Sequence, residues 1–202
     1  MKTRRPPGFP GLPCFPGFLL PVTARLHPTP NRTPEMTEIA IRRATPDDAP
    51  ELAAMVREIA AHEDQTAQVR VTDEQWRSLL GRPEVIVLLA ERDGPAIGYV
   101  SSVRRLHLWT GGDVLDLDDL YVRPGNRDAG VGRRLMAALA ASAAPARLLI
   151  RWGVEADNVD AQRFYRRLGA TLRPKIHAAW SPEAYADVAA SHGPDHSHSR
   201  SR

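Results

Sequence analysis

Only one cysteine, Cys14, is present among 202 residues. Its isolation excludes an internal disulfide and any zinc cluster built on cysteine pairs, and a reducing cytoplasm is the expected compartment. Long apolar runs are missing too, since no stretch approaches the roughly 20 residues of a membrane-spanning helix. Acids are almost absent from residues 1–35, where Glu35 stands beside nine of the 18 prolines and five of the 27 Lys+Arg. Such a segment cannot pack as a helix or a central strand and reads as a disordered extension. Its prolines and glycines also break every run that could form the apolar core of an export signal. Met36, followed by TEIAIRRATPDD, reads as the natural beginning of a domain that spans 36–190.

A basic folded face is a further absence. The overall charge of +3 contains +4 from residues 1–35 and +1 from the SHGPDHSHSRSR tail of 191–202, which leaves 36–190 at −2. Electrostatic nucleic-acid binding needs basic residues clustered on folded structure, so neither nucleic acid nor membrane is an expected partner. The tail's His192, His196 and His198 lie among Ser, Gly and Asp with no core to fix a coordination geometry, and no metal is expected.

Within 36–190 the periodicity changes in a regular order. EIAIRRAT (38–45) alternates as a strand, and Thr45, Pro46, Asp47 and Asp48 open a helix with Leu52, Met55, Val56 and Ile59 on one face, running to about His62. A polar connection (63–71) precedes a shorter helix capped by Thr72, carrying Trp76, Leu79 and Leu80 and ended by Gly81 and Pro83. EVIVLLAE (84–91), a turn at Asp93-Gly94 and AIGYVSSVRRLHLW (96–109) form an expected antiparallel pair. DVLDLDDLYV (113–122) is another strand. A helix from about Gly130 to Ala144, an apolar strand ARLLIRWGVE (146–155) and a short helix capped by Asn158 and ended by Gly169 follow. A closing segment includes KIHAAW and a capped SPEAYADVAA helix.

Glycines between a strand and a helix start usually cradle a phosphate. The dinucleotide fingerprint fails here, because Gly130-x-Gly132 is followed by Arg133, Arg134 and Leu135 where a third glycine belongs. No Gly-Lys-Ser/Thr follows, so the mononucleotide loop fails as well. What stands is Arg127-Asp128-Ala129-Gly130-Val131-Gly132, R-x-x-G-x-G, with a second element downstream, N158-VDAQR-FYRRLGA.

In these two motifs, in their order and in their flanking strands, the chain resembles the GNAT superfamily of N-acetyltransferases over residues 38–170. IRRATPDDAPELAAMVREIAAHE, LDLDDLYV and FYRRLGA look most like the diamine acetyltransferases of the spermidine/spermine and thialysine type. Asp128 departs from the usual Arg or Gly, residues 62–70 are less acidic, and His107 falls near an expected acid.

The resemblance implies an α/β (α+β) domain: a mixed, mostly antiparallel central sheet flanked by helices, with a splayed strand pair forming the acetyl-CoA cleft. It implies that the backbone of Leu120, Tyr121 and Val122 pairs with pantetheine. Arg127, Asp128, Ala129, Gly130, Val131, Gly132 and Arg133 would enclose the pyrophosphate, and Asn158 and Ala161 would line the other side. Acetyl-CoA is then the co-substrate, without a metal, and a homodimer is expected.

Tyr165 occupies the family's general-acid position; a phenol of ordinary pKa about 10 holds its proton at neutral pH yet can serve a departing thiolate. A core tyrosine packed beside Phe164 is the competing reading. Asp118 aligns with an acid that relays the amine's proton, and Asp119 is adjacent. Strict strand alternation places Asp116 and Asp118 on one face and Asp119 on the other, with Asp113 upstream. Together these acids favour a cationic amine, although solvated aspartates on an exposed face would look the same. Trp109 is a candidate aromatic wall for an alkylammonium, and Glu155 a second candidate base.

The leading expectation is acetyl transfer to a primary amine of a small cationic acceptor: a diamine, a lysine-like amino acid or an aminosugar. Acetylation of protein lysines or amino termini, a catalytically silent acyl-CoA-binding module, and a nucleic-acid contact through the basic tails are the alternatives.

Overall fold

The computed structural model describes residues 38–127 and 129–191. Expectations for the proline-rich extension, for Asp128 and for the histidines of the tail lie outside the described residues. Five strands, β1 (Ala40–Arg43), β2 (Val85–Glu91), β3 (Ala96–His107), β4 (Gly112–Val122) and β5 (Leu149–Arg151), form one sheet in chain order. The first three junctions are antiparallel and β4–β5 is parallel. The helices are α1 (Ala49–His62), α2 (Asp73–Leu80), α3 (Val131–Ala143), α4 (Val159–Arg167) and α5 (Pro182–Ser191). The expected mixed, mostly antiparallel sheet flanked by helices is what forms.

Local chemistry starts and stops these elements where the sequence pattern indicates. The Asp93-Gly94 turn has positive φ at both residues, 55° and 107°, the handedness that matches a twisted hairpin. Thr72 and Gln75 cap α2 reciprocally, each side chain meeting the other's backbone N–H, at 3.2 and 2.9 Å. Before α1 the chain makes one 3₁₀ turn, Pro46–Asp48. There Thr45 N–H and O–H both donate to Asp48, whose carboxyl is held well below the usual range, chiefly by the Arg42 guanidinium.

Both faces of the sheet are covered, which is why β2 and the start of β3 are continuously apolar. On one face, Val131, Leu135, Met136 and Leu139 of α3 pack on Leu88, Val100, Leu115 and Leu117, with Tyr165 of α4 beside them. On the other, Leu52 and Met55 of α1 and Leu80 of α2 pack on Val87, Leu89, Tyr99 and Tyr121. A fully buried leucine in such a layer contributes about 1.5–3 kcal/mol. Glu58 of α1 is tied to the end of β4 by Arg123 and by the Tyr121 hydroxyl, 2.9 and 3.1 Å away.

Two features differ from the sequence expectations, the face of Asp119 and the length of β5. A bulge interrupts β4: Val100 faces Leu120 but Ser102 faces Leu117, so Ser101 stands against both Asp118 and Asp119. The extra residue resets the alternation and puts Asp119 on the face of Asp116 and Tyr121, the opposite of the expected arrangement. The strand expected over 146–155 is only Leu149–Arg151, because its pairing with β4 ends there. The capped helix expected over SPEAYADVAA forms as α5, with Ser181 accepting from Ala184 N–H and every residue of the helix exposed, and KIHAAW before it takes no regular structure.

Gly98 sets how closely β3 and β4 approach, since a Cβ there would lie 2.5 Å from the Tyr121 carbonyl oxygen and 3.2 Å from Val122 Cα. Both are backbone atoms and cannot rotate away. Gly98→Ala is expected to cost about 1–3 kcal/mol, read as a lowered denaturation midpoint; an unchanged midpoint would show that the strands part freely.

Candidate active site

The site begins where two strands separate. β5 pairs with β4 at Val114↔Leu149, Leu115↔Ile150 and Asp116↔Arg151 and then stops, while β4 runs on to Val122. Charge fixes the last pair: Arg151 donates to both Asp116 oxygens, and Arg105 donates to the same carboxylate. Beyond it, Trp152 turns onto the ring of Tyr165, centroids 4.8 Å apart. A wedge opens in which the Leu117–Val122 edge of β4 has no strand beside it. Backbone groups on such an edge can accept an extended ligand as they would another strand.

A positively charged loop closes the wide end of the wedge. Gly130 is the N-cap of α3 with φ of +74°, a conformation glycine adopts without strain, and it supplies no side-chain cap to the first amides of the helix. The first turn holds no acid, and Arg133 and Arg134 lie in it. Arg127 is anchored by donating to the Val122 carbonyl at 3.2 Å, whereas Arg133 has no hydrogen bond or ion pair among the described residues. Guanidinium groups at the positive end of a helix are unfavourable alone and favourable around a polyanion. These residues therefore fit a pyrophosphate. Gly132 has a packing role as well, since a Cβ there would touch Phe164 at 3.5 Å and Leu120 at 3.9 Å. Ala129 and Val131 complete the loop; Asp128 lies outside the described residues.

Across the wedge, Asn158 caps α4 by accepting from Ala161 N–H at 3.0 Å. That helix carries Tyr165, which is 7% exposed and wedged between Trp152 and Phe164. Burial pushes its phenol up to about 12, so the hydroxyl stays protonated at physiological pH. Its O–H has no hydrogen-bond partner among the described residues, which leaves it available to a ligand. Glu155 is exposed on the turn into α4, four residues past the end of β5.

The four aspartates separate by their partners. Asp113 is bound to Arg104 at 2.7 Å, and Asp116 is held between Arg105 and Arg151. Asp119 Oδ2 accepts from Tyr99 and Ser101 hydroxyls at 3.2 and 3.4 Å, while the Ser101 hydroxyl accepts Asp119 N–H at 3.1 Å. Asp118 has no hydrogen bond or ion pair among the described residues. Both bulge carboxyls are raised above the ordinary value: Asp118, exposed yet partly desolvated by its surroundings, by that desolvation and then by Asp119 and Asp116, Asp119 by burial against its two hydroxyl bonds. Acids poised upward beside an open cleft suit proton acceptance.

Trp109 is not brought to this place. It is 96% exposed at the tip of the β3–β4 hairpin, edge-on to His107, and at least six strand residues, about 20 Å, from Asp118. Three residues escape the sequence reading. Trp152 looks there like one more apolar residue of a strand; Tyr99 and Ser101, at i and i+2 of β3, share a face and signal a polar partner across the strand.

An open strand edge beside an arginine-flanked helix start has the chemistry to fit an extended, pyrophosphate-bearing ligand. The chain belongs to the acetyltransferase (GNAT) family, whose pattern matches residues 49–170. Membership implies acetyl-CoA as acyl donor. A thialysine N-epsilon-acetyltransferase of Bos taurus is 27% identical over 148 residues, 67% of this chain and 85% of that protein. An uncharacterized N-acetyltransferase of Mycobacterium bovis is 35% identical over 98 residues, 47% of this chain and 58% of that one. Among solved structures, an aminoglycoside acetyltransferase from an uncultured soil metagenomic sample superposes with TM-score 0.63 at 17% identity, covering 71% of this chain and 95% of its own. A ribosomal-protein-alanine N-acetyltransferase from Brucella melitensis gives 0.58 at 22% identity, covering 70% and 98%. The structures share the fold, and the named acceptors differ from one another. The resemblance to diamine enzymes in particular thus widens to the superfamily. Among the described residues no group of His, Cys, Asp and Glu could hold a metal ion, and no helix is long and apolar enough to cross a membrane.

The raised Asp119 carboxyl has a thermodynamic consequence. The folded chain holds this proton more tightly than the unfolded one, so the associated stability is present below pH about 4 and lost as pH rises through the folded value. Asp119→Asn does not titrate; its melting temperature relative to the parent should rise between pH 4 and pH 7.5. A pH-independent difference would show that Asp119 is solvated.

Proposed function

We propose that this protein transfers the acetyl group of acetyl-CoA to the primary amine of a small cationic acceptor, a diamine, a lysine-like amino acid or an aminosugar, by direct attack. The observation that carries this reading is the wedge itself: the open edge of β4 for pantetheine, Arg127, Gly130 and Arg133 for the pyrophosphate, and the unpartnered Tyr165 hydroxyl across the opening. Asp118 and Asp119 stand on the same short stretch of β4 and give the acceptor side its negative charge.

The amine arrives as an ammonium and must lose one proton before its nitrogen can attack. Asp118, through water, and Asp119 are the acceptors of that proton. The nitrogen then bonds to the thioester carbonyl carbon, and the tetrahedral intermediate collapses as the carbon–sulfur bond breaks, with the electron pair leaving on sulfur. The second nitrogen proton is lost as the amide forms, and the thiolate is protonated. The products are the N-acetylated amine, CoA thiol and one released proton. Tyr165 donates its hydrogen bond to sulfur as charge builds there.

Thiol release on mixing acetyl-CoA with a panel of amines tests the activity. Tyr165→Phe keeps the ring contacts and removes only the donor, so kcat should fall about 100-fold while KM for acetyl-CoA changes less than about threefold. Unchanged kcat would make Tyr165 a packing residue, and tight acetyl-CoA binding without turnover on any amine would make the protein a binding module.

A further inference from the structure

Asp48, Asp116 and Asp119, each partly buried, are held in two different ways. Asp48 and Asp116 use both carboxylate oxygens on arginines, Asp48 on Arg42 and Asp116 on Arg105 and Arg151. Guanidinium partners favour the ionised form, and Arg42 holds Asp48 well below the usual carboxylate range. Asp119 has no cation bonded to it. Only its Oδ2 is engaged, by the hydroxyls of Tyr99 at 3.2 Å and Ser101 at 3.4 Å, and Oδ1 has no partner among the described residues. Asp119 also forms part of the wall of a cavity of about 220 Å³ between α1, the connection to α2 and β4.

Both hydroxyls are fixed by their surroundings. Tyr99 is fully buried in the layer under α1 and α2, so its ring cannot swing. Ser101 stands opposite the bulge, where Asp119 has no residue of its own to pair with on β3. There the Ser101 hydroxyl accepts the Asp119 N–H at 3.1 Å and donates to the carboxylate of the same residue. One side chain thereby fixes both the backbone and the carboxylate of Asp119.

We propose that Tyr99 and Ser101 are positioning residues for acetyl transfer: they hold Oδ2 of Asp119 so that Oδ1 is the oxygen that takes the proton of the acceptor's ammonium. The inference rests on the acetyl-transfer function proposed above and separates the two acids named there. One N–H bond of the ammonium breaks, its electron pair stays on nitrogen, and the proton bonds to Oδ1. Oδ2 is then the carbonyl oxygen of a carboxylic acid and goes on accepting from both hydroxyls, so neither has to turn as the proton arrives. Neutral donors suit this task better than arginines, because they orient the carboxylate and leave it an affinity for protons. Burial outweighs the two hydroxyl bonds, and Asp119 stands above the ordinary value. Asp118 is exposed and unbonded among the described residues, so nothing fixes its carboxylate at the geometry a direct proton transfer needs. The titratable and charged groups facing Asp119 are Tyr99 of β3, Asp116, Asp118 and Tyr121 of β4, Glu63 at the end of α1 and Arg70 of the connection.

A carbon-13 NMR titration of the Asp119 carboxyl in the full-length chain reads the two hydroxyls without any turnover. The midpoint should move up by about half to one pH unit in Tyr99→Phe and in Ser101→Ala, since each loses a donor that favours the ionised form, and return in Ser101→Thr. In thiol release with acetyl-CoA and the fastest amine of the panel, kcat should fall about tenfold in Tyr99→Phe and in Ser101→Ala, with KM for acetyl-CoA within about threefold of the parent. The acid limb of kcat should follow the NMR midpoint, and Ser101→Thr should restore most of the rate. A lowered denaturation midpoint with unchanged kcat and an unmoved limb would make both hydroxyls structural and overturn the proposal. A carboxyl midpoint that stays in place in Tyr99→Phe would overturn it too. Should Ser101→Ala fail to fold, Tyr99→Phe carries the comparison, because phenylalanine fills the same buried space. A moved midpoint in a chain that releases no thiol with any amine removes acetyl transfer and leaves the orientation of Asp119 standing. Thiol release with an unmoved midpoint and unchanged kcat keeps acetyl transfer and removes Tyr99 and Ser101 from it.

Discussion

The ion pair between Asp116 and Arg151 is the hinge on which the site depends. It closes the last rung of the β4–β5 ladder, and beyond it the two strands part. A parallel pair that stayed in register would satisfy the backbone of β4 out to Val122 and leave no opening. Instead Trp152 leaves the sheet for the ring of Tyr165, so a single event both frees the edge of β4 and delivers the phenol to the opposite side of the gap. Arg105 adds a second guanidinium to the same carboxylate, and the resulting cluster joins three strands, β3, β4 and β5. Breaking a partly buried cluster of this kind strands the charges that remain, which gives the rung a rigidity that three residues of backbone pairing would not supply.

β4 also divides the chemistry by face. Leu117 and Leu120 pack toward α3, beside the loop that fits a pyrophosphate; Asp119 and Tyr121 point toward α1, and Asp119 lies beside the connection between α1 and α2. In the proposed reaction the donor and acceptor sides are thus served by alternate residues of one strand, and the β4 bulge opposite Ser101 is what brings a carboxylate to the acceptor side. Without the extra residue, Asp119 would lie in the apolar layer under α3. There its ionised form would lack both the Tyr99 and the Ser101 hydroxyls.

Element order was legible in the sequence because it rests on local physics: the capping residues Thr72 and Asn158, the Asp93-Gly94 turn, the apolar stripes of α1 and α3. The phosphate-fitting loop was legible for the same reason, since a left-handed glycine at a helix start is a local requirement. The misplaced features are non-local. Whether β5 extends beyond Arg151 depends on a partner 35 residues away, and whether Asp119 faces Asp116 depends on how β4 registers against β3. Trp109 follows β3 so directly that its spacing suggests proximity to the aspartates, but a long hairpin converts adjacency in sequence into separation at its tip. The charged partners that neutralise Asp113 and Asp116 are likewise invisible until the strands are laid side by side.

The proton inventory follows from burial. A phenol pushed up to about 12 is a weaker acid than a free thiol near 8.5, so complete transfer from Tyr165 to sulfur runs uphill by more than three powers of ten. In the proposed reaction Tyr165 therefore stabilises the departing sulfur by hydrogen bonding, and net protonation of the thiolate is completed from solvent or from the proton released by nitrogen. The acids on β4 are displaced in the complementary direction: burial raises Asp119, and partial desolvation with its acidic neighbours raises the exposed Asp118, toward the range in which a carboxylate accepts a proton more readily. An ammonium still holds its proton far more strongly than either, so the proposed reaction also needs desolvation of the amine in the site to bring its acidity toward theirs.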